Sequence, residues 1–322
     1  MGDADQNHFA PPMPSAAAFW SLLGARWWIL AAILYPLCFI VGLDAGAWRW
    51  SLPWWLGGIL FFTALRIPLE GLREAVLDQD RWRLAWIFAG VRLLAVPILI
   101  WAITMVVAPA WAPGVLLVAA MPAGLSSIAM ADLMRGDRTL ALLAVVASSA
   151  AAPLTVPLLV QAFGPDHTFV DLALVAGRAG YIGLLLGAPL LAAQVVRQVL
   201  PGVVRAGDIW WPRAAVTCSI SLGVVSILAN HDAWAPYGLE GLLPPLGLAT
   251  LVVALNLALT LWTRRFLERS RADALGCGAV YLNNGLAIAF AAAFFPHDGR
   301  MLLPAILLIL PTVAAMAVLS RR

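Results

Sequence analysis

Lysine is absent from this chain, and all 20 of its basic residues are arginine. Charge of either sign is scarce, at 11% of 322 residues, where soluble domains carry about one quarter. That shortage excludes a water-soluble domain. The three cysteines, Cys38, Cys218 and Cys277, lie in separate apolar runs without paired spacing, which excludes a disulfide framework or a cysteine metal site. There is no zinc-type histidine pair, no nucleophile–histidine arrangement and no pair of intramembrane carboxylates. Enzymatic chemistry is therefore not expected. The arginines are dispersed over loops rather than gathered into a patch, so no nucleic-acid partner is expected either. The longest polar stretch is the acidic start, MGDADQNHFAPPMPS, which lacks the basic n-region of a signal peptide. Residues 1–26 read as a flexible tail.

What is present is apolar sequence, at 62% of the chain. Runs near 20 residues recur along it, the length that spans a bilayer core of about 30 Å. The expected fold is an all-α polytopic membrane protein with the lipid bilayer as its surroundings. Ten spans are expected at 27–44, 53–71, 83–107, 114–133, 139–163, 170–195, 213–230, 243–263, 273–294 and 302–319. The arginines test this division. One set of alternate connecting segments holds 15 of the 20, from Arg26 through Arg138 and Arg213 to Arg322, while the other set holds Arg49 and Arg300. The positive-inside rule then places both termini in the cytoplasm, and the alanine-, leucine- and arginine-rich composition fits a bacterial inner membrane. Tryptophans gather at span ends (Trp54-Trp55, Trp210-Trp211), as in an interfacial belt.

Ten spans divide into two units of five, and an odd unit re-enters the membrane inverted. Gly124-Leu125 in span 4 returns as Gly285-Leu286 in span 9, and Asp137 returns as Asp298, both at an offset of 161, half of 322. Two repeats are expected, 27–163 and 170–319. Spans 4 and 9 are also the most interrupted. Pro122, Gly124, Ser126 and Ser127 crowd the first, and Gly276, Gly278, Asn283, Asn284 and Gly285 the second. Interrupted helices at matched positions of an inverted repeat mark the binding site of many secondary transporters. Freed backbone groups and half-helix N-termini there can hold an anion.

Three arginines fall inside spans: Arg66, Arg92 and Arg178. Arg92 sits in LAWIFAGVRLLAVPILIWAITM, an otherwise uncharged run, and a charge at that depth is kept for function. Arg178 is a candidate to face a substrate cavity. Arg66, Glu70 and Glu74 are spaced as an intrahelical ion-pair ladder. Asp132, three residues before Arg135, is either its interfacial partner or a coupling and gating residue.

These segments resemble the bile acid:sodium symporter family. Its span 4 motif, approximately C-P-G-G-x-x-S-N followed by x-G-[DN], aligns with Met121-Pro122-Ala123-Gly124-Leu125-Ser126-Ser127-Ile128 and Arg135-Gly136-Asp137. Its span 9 motif, approximately E-x-G-x-Q-N-x-x-L-A, aligns with Gly278 through Ala287. The resemblance implies ten helices as two inverted repeats, with helices 4 and 9 broken and crossing. It also implies substrate and crossover residues at Ser126, Ser127, Tyr281, Asn283 and Asn284, joined by Arg92 and Arg178. Most of the family's sodium ligands are missing. The asparagine of span 4 is Ile128, the hydroxyls of span 5 are Ala141 and Val145, and the glutamate and glutamine of span 9 are Gly278 and Leu282. The span 3 glutamine, five residues before a proline, is Arg92 before Pro97. An arsenite carrier of a related family would need a cysteine where Met121 stands. The expectation is a transporter of a small or amphipathic organic anion, with no cofactor, no bound sodium and Arg92 in the place of the ion. Two alternatives stay open: a membrane-embedded sensor on the same fold, and a symporter still coupled to sodium.

Overall fold

The computed structural model describes residues 27–67, 77–164 and 172–319. Helices begin and end where local chemistry asks. Asp78, Asp137 and Asp298 each sit in extended backbone and accept a bond from a first-turn amide, the usual N-cap arrangement. These caps open α3 (Gln79–Val107), α6 (Arg138–Phe163) and α14 (Gly299–Leu307). The remaining long elements are α1 (Trp27–Val41), α2 (Leu52–Ala64), α7 (Leu172–Val199), α9 (Trp211–Ala229) and α11 (Leu243–Thr263). Five helical stretches are long and apolar enough to cross a membrane: Gln79–Val107, Arg138–Phe163, Leu172–Val199, Trp211–Ala229 and Glu240–Thr263.

The expected spans 4 and 9 are each split. The first is α4 (Ala112–Ala119) and α5 (Ser126–Leu133); the second is α12 (Arg269–Val280) and α13 (Asn284–Phe294). Pro122 lacks an N–H and disfavours helix at Met121, which stops α4. Short helices α8 (Pro201–Ala206) and α10 (His231–Trp234) lie in connections, and α15 (Ile309–Leu319) follows α14 after a turn at Leu308.

Helices α1, α2, α7 and α9 pack on one another, while α3 to α6 pack with α12, and α11 and α14 with α4. The two groups meet where α7 lies on α6 and where α2 and α9 touch α13. At the heart of the second group α4 runs against the start of α14 so closely that backbones touch. A Cβ on Gly114 would fall 1.9 Å from the Arg300 carbonyl oxygen.

One expected helix ends early. The span 2 helix stops at Ala64, and its last turn tightens through Arg66 N to Thr63 O and Ile67 N to Ala64 O. Ile67 precedes Pro68, which explains the stop. Arg66 is therefore in a turn, and it contacts Asp208 at 3.4 Å; its expected ladder partners are not among the described residues. Glu70, Glu74 and the tail 1–26 lie outside the described residues.

Candidate functional site

The two interruptions meet. Residues 120–125 and 281–283 run antiparallel and pair at Ala123 and Leu282. Gly124 N donates to Tyr281 O at 2.7 Å, and Asn283 N donates to Pro122 O at 2.8 Å. Gly124 eases this close approach, since a Cβ would lie 3.2 Å from Leu282 O, a tight contact with backbone. Ser148 of α6 closes the arrangement, its Oγ accepting from Ala123 N at 3.2 Å. Asn283 caps α13 by accepting from Leu286 N. Four half-helix ends thus converge on one short two-stranded bridge.

A cavity of about 340 Å³ lies against this bridge. One wall comes from α1, α2 and α9, including Tyr35, Leu56, Leu60, Ser219 and Leu222. The other is the bridge itself, with Ser126, Tyr281, Asn283 and Asn284, and beyond it Ile306 and Thr312. Gly223 makes room for Tyr35, whose ring carbon Cζ would stand 2.2 Å from a Cβ there. Tyr35 OH in turn donates to Ser219 O at 3.3 Å. The Asn284 side-chain oxygen is buried without a hydrogen-bond partner.

The structure separates the expected site residues. Ser126, Tyr281, Asn283 and Asn284 line the cavity. Ser127 lies beneath it, fully buried, with its hydroxyl unpartnered. Arg92 is not in the lining. It is 1% exposed, in a π-turn of α3 at Val91–Ala95, and its Nη1 donates to the carbonyl of Ala119. That carbonyl ends α4, and the amide that would have taken it, Ala123 N, is held by Ser148. Arg92 therefore puts a cation on the negative end of a half-helix. Its Nε and Nη2 have no partner. Arg178 is not in the lining either. It lies over the rings of Phe294 and Phe295, 5.4 and 5.1 Å from their centres. Helix rotation decides this, and spacing alone does not reveal it. Nothing is described for the Asp132 side chain.

Positions that the resemblance matches to sodium ligands of the family lie in hydrocarbon. Ala123, Ile128 and Val145 form a small apolar cluster packed by Phe88, Leu125 and Leu142. Gly278 faces the same place, where a Cβ would be 3.2 Å from Phe88 Cζ. The sequence reading missed Arg66, which lines the cavity, and Asp273, which is 1% exposed and paired with Arg264 at 2.6 Å. The i,i+4 spacing of Arg269 and Asp273 was the available signal for the latter.

At the end of α2 away from Arg66 a cluster of side chains joins several elements. Asp232 of α10 joins Arg49 at 2.6 Å and His297, which follows α13. Arg49 also donates to Ala229 O at 3.0 Å, and Tyr181 of α7 meets Phe294 edge-on at 5.2 Å. Partial burial works against the charged form of Asp232. The bond from His297 and the charge of Arg49 outweigh it and hold the carboxyl below its usual range. A lowered carboxyl contributes stability above its ordinary pKa of about 3.9 and loses it as pH falls through the lowered value. Asp232→Asn is thus expected to lower the melting temperature at neutral pH, and the difference from the parent is expected to vanish in strong acid. Melting curves across pH check this.

Apolar helices of membrane length, enclosing a bridge of interrupted helices, define a multi-pass helical membrane protein. Residues 55–230, more than half of the chain, match the Sodium Bile acid symporter family. The chain belongs to that family, whose members are membrane transporters rather than enzymes. No curated protein is similar enough to the chain to count as a relative.

Proposed function

We propose that the chain is a secondary transporter of a small or amphipathic organic anion, working by alternating access and without sodium. The observation that carries this reading is the cavity, set between the α1–α2–α9 wall and the bridge of broken helices. Pockets of this size take small organic ligands. The half-helix N-termini of α5 and α13, at Ser126 and Asn284, offer it partial positive charge.

The reading includes ten spans as two inverted repeats, 27–163 and 170–319, in a single membrane domain. Asp137 and Asp298, 161 residues apart, have the same capping role, which supports it. With the arginine-rich segments on the cytoplasmic side of a bacterial inner membrane, both termini are cytoplasmic. The cavity then opens inward beside Arg66, and the Asp232 cluster closes the outside. Helices α1, α2, α7 and α9 move as the panel.

Donor chemistry supports the sodium-independent reading. A sodium ion needs a cage of oxygens, and Ile128, Val145, Gly278 and Leu282 supply no side-chain oxygen at the matched positions. Arg92 supplies a tethered cation to the bridge instead. The test is flux of a labelled organic anion into proteoliposomes, in sodium and in choline. Equal rates are expected. A rate at least tenfold higher in sodium overturns the coupling, and binding without flux overturns transport.

A further inference from the structure

We propose that Arg66 is the residue by which the cavity selects anions, exchanging its contact with Asp208 for an anionic group of the substrate. This deepens the reading above and rests on the cavity being the substrate site.

Among the described residues that line the cavity, Arg66 is the one with a charge. All the rest are apolar or neutral. A half-exposed guanidinium at the edge of an otherwise uncharged cavity favours anions over cations there.

The ordinary duty of an arginine just past a helix is to cap the last carbonyls. Here other residues already do so. Gln194 Nε2 donates to Ala64 O at 3.3 Å and to Ile67 O at 3.2 Å. Arg197 Nη1 donates to Leu65 O at 2.6 Å. The end of α2 does not need Arg66.

Its ion-pair contact among the described residues is also easily exchanged. Arg66 Nε meets Asp208 Oδ1 at 3.4 Å, with side chains 48% and 68% exposed. A pair so placed is worth little. A ligand carboxylate facing the fork of the guanidinium can make two charge-assisted bonds instead. The far end of the cavity asks for something different. Ser126, Asn283 and Asn284 line it without a charge, which fits a neutral hydrogen-bonding group such as a hydroxyl. The ligand class is an amphipathic molecule with an anionic group toward Arg66 and a neutral polar group toward the bridge.

The test measures binding of 6-hydroxy-2-naphthoate and of its neutral amide to the purified full chain. The parent is expected to prefer the carboxylate by about tenfold or more, the scale of a charge-assisted pair lost. Arg66→Gln is expected to erase that preference by lowering carboxylate affinity at least as far as that of the amide, and a melting temperature like the parent's shows that the variant is folded. Arg66→Lys keeps part of the preference, and Asp208→Asn strengthens carboxylate binding. An Arg66→Gln variant that retains the parental preference overturns the proposal and leaves the transporter reading standing. A parent that binds neither probe overturns the organic-anion reading, and with it the basis for Arg66.

Discussion

Replacing Arg92 by methionine is expected to raise the melting temperature and to reduce transport at least tenfold. The two effects have opposite signs because the guanidinium is poorly satisfied where it sits. It is 1% exposed, one nitrogen reaches Ala119 O, and Nε and Nη2 have no partner. Burying an ion costs several kcal/mol even after relaxation. Losing its bond leaves one carbonyl orphaned, at about 1–3 kcal/mol. The charge is the larger quantity, so methionine, apolar and unbranched though shorter than arginine, gives a net gain of roughly 1–2 kcal/mol. Alanine separates charge from volume: its cavity costs about 2–5 kcal/mol and reverses the gain. Transport falls in both variants, because the end of α4 loses the cation that holds it at the bridge. Calorimetry together with proteoliposome flux reads both quantities. A methionine variant that melts lower and transports normally would mean that Arg92 is a structural residue.

The second large effect lies away from any ligand. Gly114→Ala is expected to cost about 3 kcal/mol or more, at the upper end of overpacking penalties. The atom in the way is the Arg300 carbonyl oxygen, 1.9 Å from the new Cβ, with Met301 Cα at 3.0 Å. Both belong to the backbone, so no side-chain rotation relieves the clash. Gly90→Ala in α3 is the control. Nothing lies within 4 Å of its Cβ, and the added methyl is expected to stabilise the helix by about 0.5–1 kcal/mol. Melting temperatures of the two variants test the pair. A Gly114→Ala variant that melts like the parent would show that α4 and α14 can separate.

Much of this was legible in the sequence because it is local. Pro122 stops a helix wherever it stands, and the asparagines at 283 and 284 cannot sit in hydrocarbon without partners. The two breaks were therefore readable, and so was membrane character. What the sequence left hidden is rotational. Arg92 and Arg178 both looked like cavity residues, since each is a charge within an apolar run. The π-turn before Pro97 and the packing of α7 on α13 decide which way each one faces, and neither is encoded in spacing. Arg66 was hidden for another reason. Glu70 and Glu74 offered a local partner set, while Asp208, the partner it has, is 142 residues away. Asp273, at the start of the expected span 9, is enclosed with Arg264, which its place at a span end did not reveal.

The hydrocarbon cluster of Ala123, Ile128 and Val145 bears on energy supply as well as on ion binding. The proposed reading leaves uniport, exchange and proton coupling open, and in the uniport case the carrier has no ion to ride on and cannot accumulate its substrate against a gradient. What remains is the substrate's own concentration difference and the electrical potential across the membrane. For a monovalent anion, about 100 mV negative inside is worth about 2.3 kcal/mol in the outward direction, close to a fiftyfold ratio at equilibrium. A fold used elsewhere in its family for sodium-driven uptake would, in this chain, run as an exit.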